Sequence, residues 1–396
     1  MTTALRRRTA VAALAALALL AAPAVTAQAL PAPAPAASTE VPAGLPRPTG
    51  PYAVGVDVLH LTDHGRPDHW VPGSGDRRLM VSVHYPARPG GGTRAPYLSL
   101  EEAEALLAGR GLDDDAPAAL SSLATHARVD AATARGRFPL VLLSPGFGNP
   151  RATLTSLAED LASRGYVVAS VDHAYESMGS AFPGGRILPC AACDAVEAAP
   201  DDAAEREVLG AVSTGRAADL SFVLDRLTGP RPAWEHARAI DRRRVAAVGH
   251  SIGGSAAASV MLADARVDAG VNMDGTFFER IPASGLGERP FMMLGTSSHG
   301  PGSDDSWDEG WQRLDGYRRW LSVEGSGHSS FTDVPVLEDR MGVVLDPTVT
   351  LTTDRQVRIT RDYVNAFLDQ HLRGRHQPLL DGPTPGNPEV VFQQQS

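Results

Sequence analysis

The chain of 396 residues contains no lysine; all 36 of its basic residues are arginine. Cysteines number two, aromatic residues make up 6%, and charge of either sign makes up 21%. Each scarcity excludes something. The formal net charge of −10 argues against nucleic acid as a partner. A charged fraction near the globular average, with 43% hydrophobic residues, excludes global disorder and supplies a large core. Beyond the first thirty residues no apolar segment reaches the roughly 20 residues that a bilayer span requires, so stable membrane insertion is not expected.

What is present begins with an export pattern. Arg6, Arg7 and Arg8 form a basic start, Ala10 to Ala22 an apolar run, and Val25–Ala29 a small-residue stretch suited to cleavage. Residues 1–29 therefore read as a signal peptide, by the general route or, given the adjacent arginines, the twin-arginine route. A secreted protein is expected. Without those three arginines the net charge moves from −10 to −13. Residues 30–50 are rich in Pro and Ala and read as an extended spacer.

Cys190 and Cys193 stand three apart in a Gly/Pro-rich stretch. A metal site needs more ligands than this pair has nearby. A redox pair belongs where a strand turns into a helix. A small local disulfide is the reading that suits an exported chain. Its closed loop is short, so it orders the loop more than it stabilises the fold.

From residue 51 to 376 strand and helix signals alternate. Val54–Leu61 and Leu79–Tyr85 read as an opening antiparallel pair. Residues 99–127 carry apolar positions at helical spacing and read as a helical insertion. Phe138–Ser144 is continuously apolar, as in a strand buried on both faces. A helix over 152–164, a strand over 166–171, a loop over 172–203 and a long helix over 204–227 follow. Strands are then expected at 244–248, 267–273, 290–294 and 319–323, and a closing helix at 358–373. This alternation predicts an α/β fold, a mostly parallel sheet with helices on both faces. Residues 377–396, rich in Pro, Gly and Gln, read as a poorly ordered tail.

Gly249-His250-Ser251-Ile252-Gly253 matches G-x-S-x-G. The pattern alone is weak in a chain with 39 glycines. Here Arg244–Val248 enters it as a strand and an Ala-rich helix leaves it. Strand, sharp turn and helix are the context of a nucleophile elbow, which makes Ser251 the candidate nucleophile. A serine hydroxyl needs a base, and in this architecture the chain order is Ser, acid, His. His328 follows the last predicted strand, where a loop can return it over the sheet edge; His299 is its weaker rival. For the acid, Asp274 ends a strand beside Gly275, whereas Asp304, Asp305 and Asp308 lie on a later acidic loop; position favours Asp274. The backbone N–H groups of Ile252 and Phe147 are the candidate oxyanion donors. Gly146, His250 and Phe277 flank these groups as candidate substrate contacts. Phe147, Met178, Phe182, Ile252, Met273, Phe277 and Phe278 fall on rim loops or strand ends and suggest an apolar acyl group, although each also suits a core. Asp172 and His173 end a strand nearby, suited either to substrate or to hydrogen bonds within the sheet.

Several motifs agree in order: Ser-Pro-Gly-Phe-Gly at 144–148, the run at 161–173, Gly-His-Ser-Ile-Gly-Gly at 249–254, the run at 268–275 and Gly-Ser-Gly-His-Ser-Ser-Phe at 325–331. Over residues 52–375 the chain resembles the group II platelet-activating factor acetylhydrolases and their bacterial lipase-like relatives. The resemblance implies the α/β-hydrolase fold, hydrolysis of small esters or phospholipids without metal or cofactor, and Ser251, Asp274 and His328 as a triad. One departure is visible: relatives often have Ser-His-Gly where this chain has Ser-Pro-Gly. The same triad also suits a polyester or cutin hydrolase. A non-catalytic binding protein on this fold would be expected to lack one of the three residues.

Overall fold

The computed structural model describes residues 44–109 and 111–393. The expected signal peptide and the spacer up to residue 43 lie outside the described residues. The chain enters through a long hairpin, β1 (Ala53–Pro67) and β2 (Asp76–Ala87). An insertion follows: β3 (Thr93–Pro96), α1 (Leu100–Leu107), α2 (Ala116–Ser121) and β4 (Ala124–Val129). Ser99 and Glu102 cap α1 reciprocally, which fixes where that helix starts. The two helices were legible in the apolar spacing; the strand pair that brackets them was not.

The parallel part begins with β5 (Phe138–Ser144), α3 (Thr155–Ser163) and β6 (Val167–His173). A short hairpin, β7 (Ala181–Phe182) and β8 (Arg186–Ile187), leads to α4 (Ala191–Glu197) and α5 (Asp202–Thr228). The stretch expected to be loop therefore carries a hairpin and a helix. Next come β9 (Ile240–His250), α6 (Ile252–Ala263), β10 (Ala269–Met273), β11 (Phe291–Thr296), α7 (Asp305–Arg313) and β12 (Arg318–Val323). The chain closes with α8 (Val334–Met341), α9 (Thr353–Arg373) and β13 (Val390–Gln393).

One sheet runs β13-β12-β11-β10-β9-β5-β6-β2-β1-β4-β3. From β12 to β6 every pairing is parallel. Antiparallel β2 and β13 flank that block on either side. All seven residues of β5 are buried, as its unbroken apolar sequence predicts for a central strand. Leu220 and Leu224 of α5 and the Ala-rich α6 pack on one face. Leu157 and Leu161 of α3 with Tyr363 and Phe367 of α9 pack on the other. This is the α/β-hydrolase architecture, and it aligns the C-terminal ends of β5, β9, β10, β11 and β12 along one edge.

Two boundaries differ from the sequence reading. Residues 377–393 do not trail away: Val390–Gln393 pairs with Trp320–Val323, and Val390 is buried. The spacer ends earlier than residue 50, since Leu45 is buried and the Thr49 amide and hydroxyl both donate to Asp160. Pro-rich composition concealed both, because a proline spaced between anchoring contacts costs a packed segment nothing.

Candidate active site

β9 ends at His250 and α6 begins at Ile252, so the whole turn rests on Ser251. Its backbone takes φ 56° and ψ −127°, a conformation that residues with a side chain rarely adopt. The surroundings hold it there. The Ser251 amide donates to the Met273 carbonyl at 2.8 Å, and the Ser251 carbonyl accepts from the Gly254 amide at 2.8 Å. A Cβ on Gly249 would stand 2.1 Å from the Gly253 carbonyl oxygen, and one on Gly253 2.2 Å from that of Ser144. Only glycine at both positions lets strand, helix and neighbouring strand approach this closely.

The Ser251 hydroxyl lies 3.0 Å from Nε2 of His328. Nδ1 of His328 lies 2.6 Å from Oδ2 of Asp274. Asp274 sits at the end of β10 and His328 on the turn after β12, so two parallel strands with only β11 between them deliver both. Asp274 is buried, while the His328 side chain is 54% exposed. The other Asp274 oxygen accepts from the Thr296 amide at 2.6 Å and from His299 at 2.9 Å. Burial alone would raise the Asp274 carboxyl, but hydrogen bonds from His299 and His328 outweigh it and hold it well below the usual carboxylate range. It is therefore ionised at any physiological pH.

β5 leads into the second element of the site, the loop Pro145–Asn149. Gly148 there has φ +72°, donates to the Glu176 carbonyl and accepts from the Met178 amide. Among the described residues the Phe147 amide has no protein acceptor. Ile252 opens α6, where the first N–H groups lack intrahelical acceptors. Both expected oxyanion donors thus carry uncommitted amides: Ile252 directly follows Ser251, and Phe147 lies on the loop after β5, the strand paired with β9. A buried ionic cluster underlies the loop. Arg216 donates to the Pro145 carbonyl at 2.5 Å and to Glu176 at 2.7 Å. Glu176 and Asp219 share Arg77, each at 2.7 Å. His173 bridges Asp219 and the Ser144 hydroxyl. His173 thus hydrogen-bonds at the C-terminal end of β6, as does Asp172, which holds Arg151. Nothing in the sequence of α5 distinguished Arg216 from its solvent-facing arginines.

All three expected substrate contacts are buried. His250 is 2% exposed; its Nε2 donates to the His328 carbonyl at 2.7 Å and its ring stands 4.7 Å from that of His328. Burial, then the neighbouring His328, pulls the His250 imidazole down to about 3, so it stays neutral. Gly146 makes room for it: a Cβ there would lie 2.9 Å from Nδ1 of His250. Phe277, 1% exposed, packs on Phe291 and Trp307. The adjacent Phe278 is the half-buried one. With Phe147, Trp70 and Leu209 it packs on buried Ile252, Val212 and Ala192. These residues form an apolar wall that includes both candidate oxyanion positions. Phe182 and Met273 are core, and Met178 is exposed.

Cys190 and Cys193 are joined, with Cα atoms 5.1 Å apart, and Cys190 caps α4. A Cβ on Gly148 would lie 3.7 Å from Sγ of Cys193, so the disulfide lies against the loop that carries Phe147. Among the described residues no group of three or more His, Cys, Asp or Glu is arranged to hold a metal, and no helix is long and apolar enough to cross a membrane.

The family model for platelet-activating factor acetylhydrolase, isoform II, matches residues 39–182 and 233–378. The chain is 30% identical to a probable 1-alkyl-2-acetylglycerophosphocholine esterase of Arthroderma benhamiae over 88% of its length and 93% of the relative's. It is 22% identical to the platelet-activating factor acetylhydrolase of Cavia porcellus over 83% of its length and 78% of the relative's. A solved ferulic acid esterase from Streptomyces cinnamoneus superposes with a TM-score of 0.79 and 44% identity, covering 89% of this chain and 99% of that one. The chain is a carboxylic ester hydrolase and belongs to the platelet-activating factor acetylhydrolase, isoform II, family.

Proposed function

We propose that this protein is an exported serine esterase that works through an acyl-enzyme on Ser251. The observation that carries the reading is the unbroken hydrogen-bonded chain from Ser251 through His328 to Asp274, 3.0 and 2.6 Å long at its two links. His328 takes the Ser251 proton as the hydroxyl attacks the ester carbonyl. Asp274 fixes the imidazole tautomer and stabilises the imidazolium. The Ile252 and Phe147 amides receive the oxyanion, and losing one such donor typically costs about 3–4 kcal/mol of transition-state stabilisation. His328 returns its proton to the departing alcohol. Water, activated by the same imidazole, then releases the acid. Export rests on the leader pattern at 1–29 and is consistent with the disulfide.

For the substrate, the half-buried Phe147, Phe278 and Trp70 favour an ester with a compact apolar or flat acyl group. The first reading is an acetyl ester of the alkylacetylglycerophosphocholine type, on family grounds. A feruloyl ester is the second, favoured by the 44% identity to the ferulic acid esterase. An ester panel tests the assignment: acetyl to long-chain nitrophenyl esters, 1-alkyl-2-acetylglycerophosphocholine, methyl ferulate and a polyester film. Turnover falling steeply beyond short acyl chains supports the first reading. Preference for the ferulate replaces it with the second. A preference for film over soluble esters overturns both.

A further inference from the structure

His299 follows β11 in a short turn and is not needed for the mechanism above. Yet it is held on every side. Its Nδ1 lies 2.9 Å from Oδ1 of Asp274, and its Nε2 3.3 Å from Oδ2 of Asp304. Its ring stacks on Trp307 at 4.8 Å, and its carbonyl accepts from the Trp320 indole at 2.8 Å. Asp304 is itself fixed by the Ser306 amide and the Thr276 hydroxyl, each at 2.7 Å. Gly295 clears the space, since a Cβ there would stand 2.9 Å from Oδ1 of Asp274 and 3.2 Å from Cβ of His299.

A carboxylate can only accept, and a neutral imidazole has one N–H. With a carboxylate at each nitrogen, the geometry selects the doubly protonated, cationic ring. Burial opposes that charge, but the bonds to Asp274 and Asp304 outweigh it and push the imidazole up to about 9. The charged groups facing the ring are these two carboxylates, and beyond Asp274 stands His328. Two imidazoles therefore share Asp274, one on each oxygen.

We propose that His299, braced by Asp304, is a positioning residue that orients Asp274 and takes up part of the carboxylate's charge opposite the His328 contact. The proposal rests on Ser251, Asp274 and His328 acting as the triad. Its consequence has a definite sign. A cation on the far side of Asp274 disfavours a second cation at His328. Removing the first leaves the full charge of Asp274 to its remaining imidazole contact, so the acid limb of activity moves to higher pH.

His299→Gln keeps a donor for Asp274 and removes the charge. The acid limb of its kcat/KM profile should move upward by about half a unit or more, the size expected of one nearby charge at a half-exposed site. Nitrogen-detected NMR of the unaltered protein should show both His299 nitrogens protonated at pH 7 and still so near pH 8. An acid limb within about 0.2 unit of wild type, or a singly protonated His299 at pH 7, overturns the proposal. Labelling by a fluorophosphonate in the same samples separates the two levels of inference. If Ser251 is labelled and the limb does not move, only the role of His299 fails. If the wild-type protein is not labelled at Ser251, the triad reading fails with it.

Discussion

Replacing Arg216 by Met tests how firmly the Phe147 loop, which we propose as one half of the oxyanion hole, depends on the charge cluster beneath it. Arg216 is 1% exposed. It makes the 2.7 Å contact with Glu176 and the 2.5 Å contact with the Pro145 carbonyl. Met fills similar volume but leaves Oε2 of Glu176 without its partner and the Pro145 carbonyl without a donor. Breaking a buried pair by removing one member costs roughly 3–5 kcal/mol. Arg77 still neutralises the other oxygen of Glu176, so a loss of about 3 kcal/mol is expected, a large share of the 5–15 kcal/mol typical of a folded domain. Activity should suffer separately. Pro145 opens the loop that carries Phe147, so that loop loses the Arg216 restraint directly. Urea unfolding measured beside kcat on a short-chain ester would show a lower midpoint at unchanged slope, with kcat down about 10-fold or more. A stability loss under about 1 kcal/mol with kcat intact would refute the claim that the cluster holds the loop.

Gly253→Ala places a methyl carbon 2.2 Å from the Ser144 carbonyl oxygen, too close for any side-chain rotation to relieve. We expect a stability loss of about 2–3 kcal/mol and near-complete loss of esterase activity; a fully active, stable variant would contradict the elbow packing. Glu159→Gln should become relatively more stabilising as pH rises. Burial raises the Glu159 carboxyl to about 7 in the folded protein, so its favourable contribution is complete below about 4.5 and is lost as pH climbs through 7, whereas Gln does not titrate. The variant should gain on the order of 2 kcal/mol over wild type between pH 5 and pH 8 in chemical denaturation; a pH-independent difference would rule this out.

How much was legible in the sequence divides along the range of the interactions. The elbow was readable because strand, Ser251 and helix lie within about twenty residues; Gly249 is demanded by a contact inside that span, whereas the Ser144 contact that demands Gly253 comes from the neighbouring strand. Asp274 and His328 were readable as ends of predicted strands, since parallel strands in this architecture deliver their C-terminal residues to one edge. The Phe277–Phe278 pair shows the limit. Adjacent aromatics at a strand end give no hint of which one turns inward, and Phe277 proved to be core. His250 looked like a rim residue because it adjoins Ser251, yet its backbone belongs to β9 and its side chain points into the scaffold of the His328 turn. β13 was hidden in a composition suited to a tail, and only the exposed edge of β12 explains why a strand forms there. The Arg216–Glu176 contact is invisible in the sequence for a different reason. It joins charged residues from separate segments, each of which alone looks solvent-facing.

The central claim is that Ser251 carries the acyl group. Rapid mixing with a slow-turnover ester, followed by quenching, digestion and mass mapping, tests it directly. The account predicts one acyl adduct per chain, on the peptide containing Ser251, absent from Ser251→Ala, which should also lose turnover by at least about 10³-fold. An adduct on another residue, or a Ser251→Ala protein with full esterase activity, would contradict it.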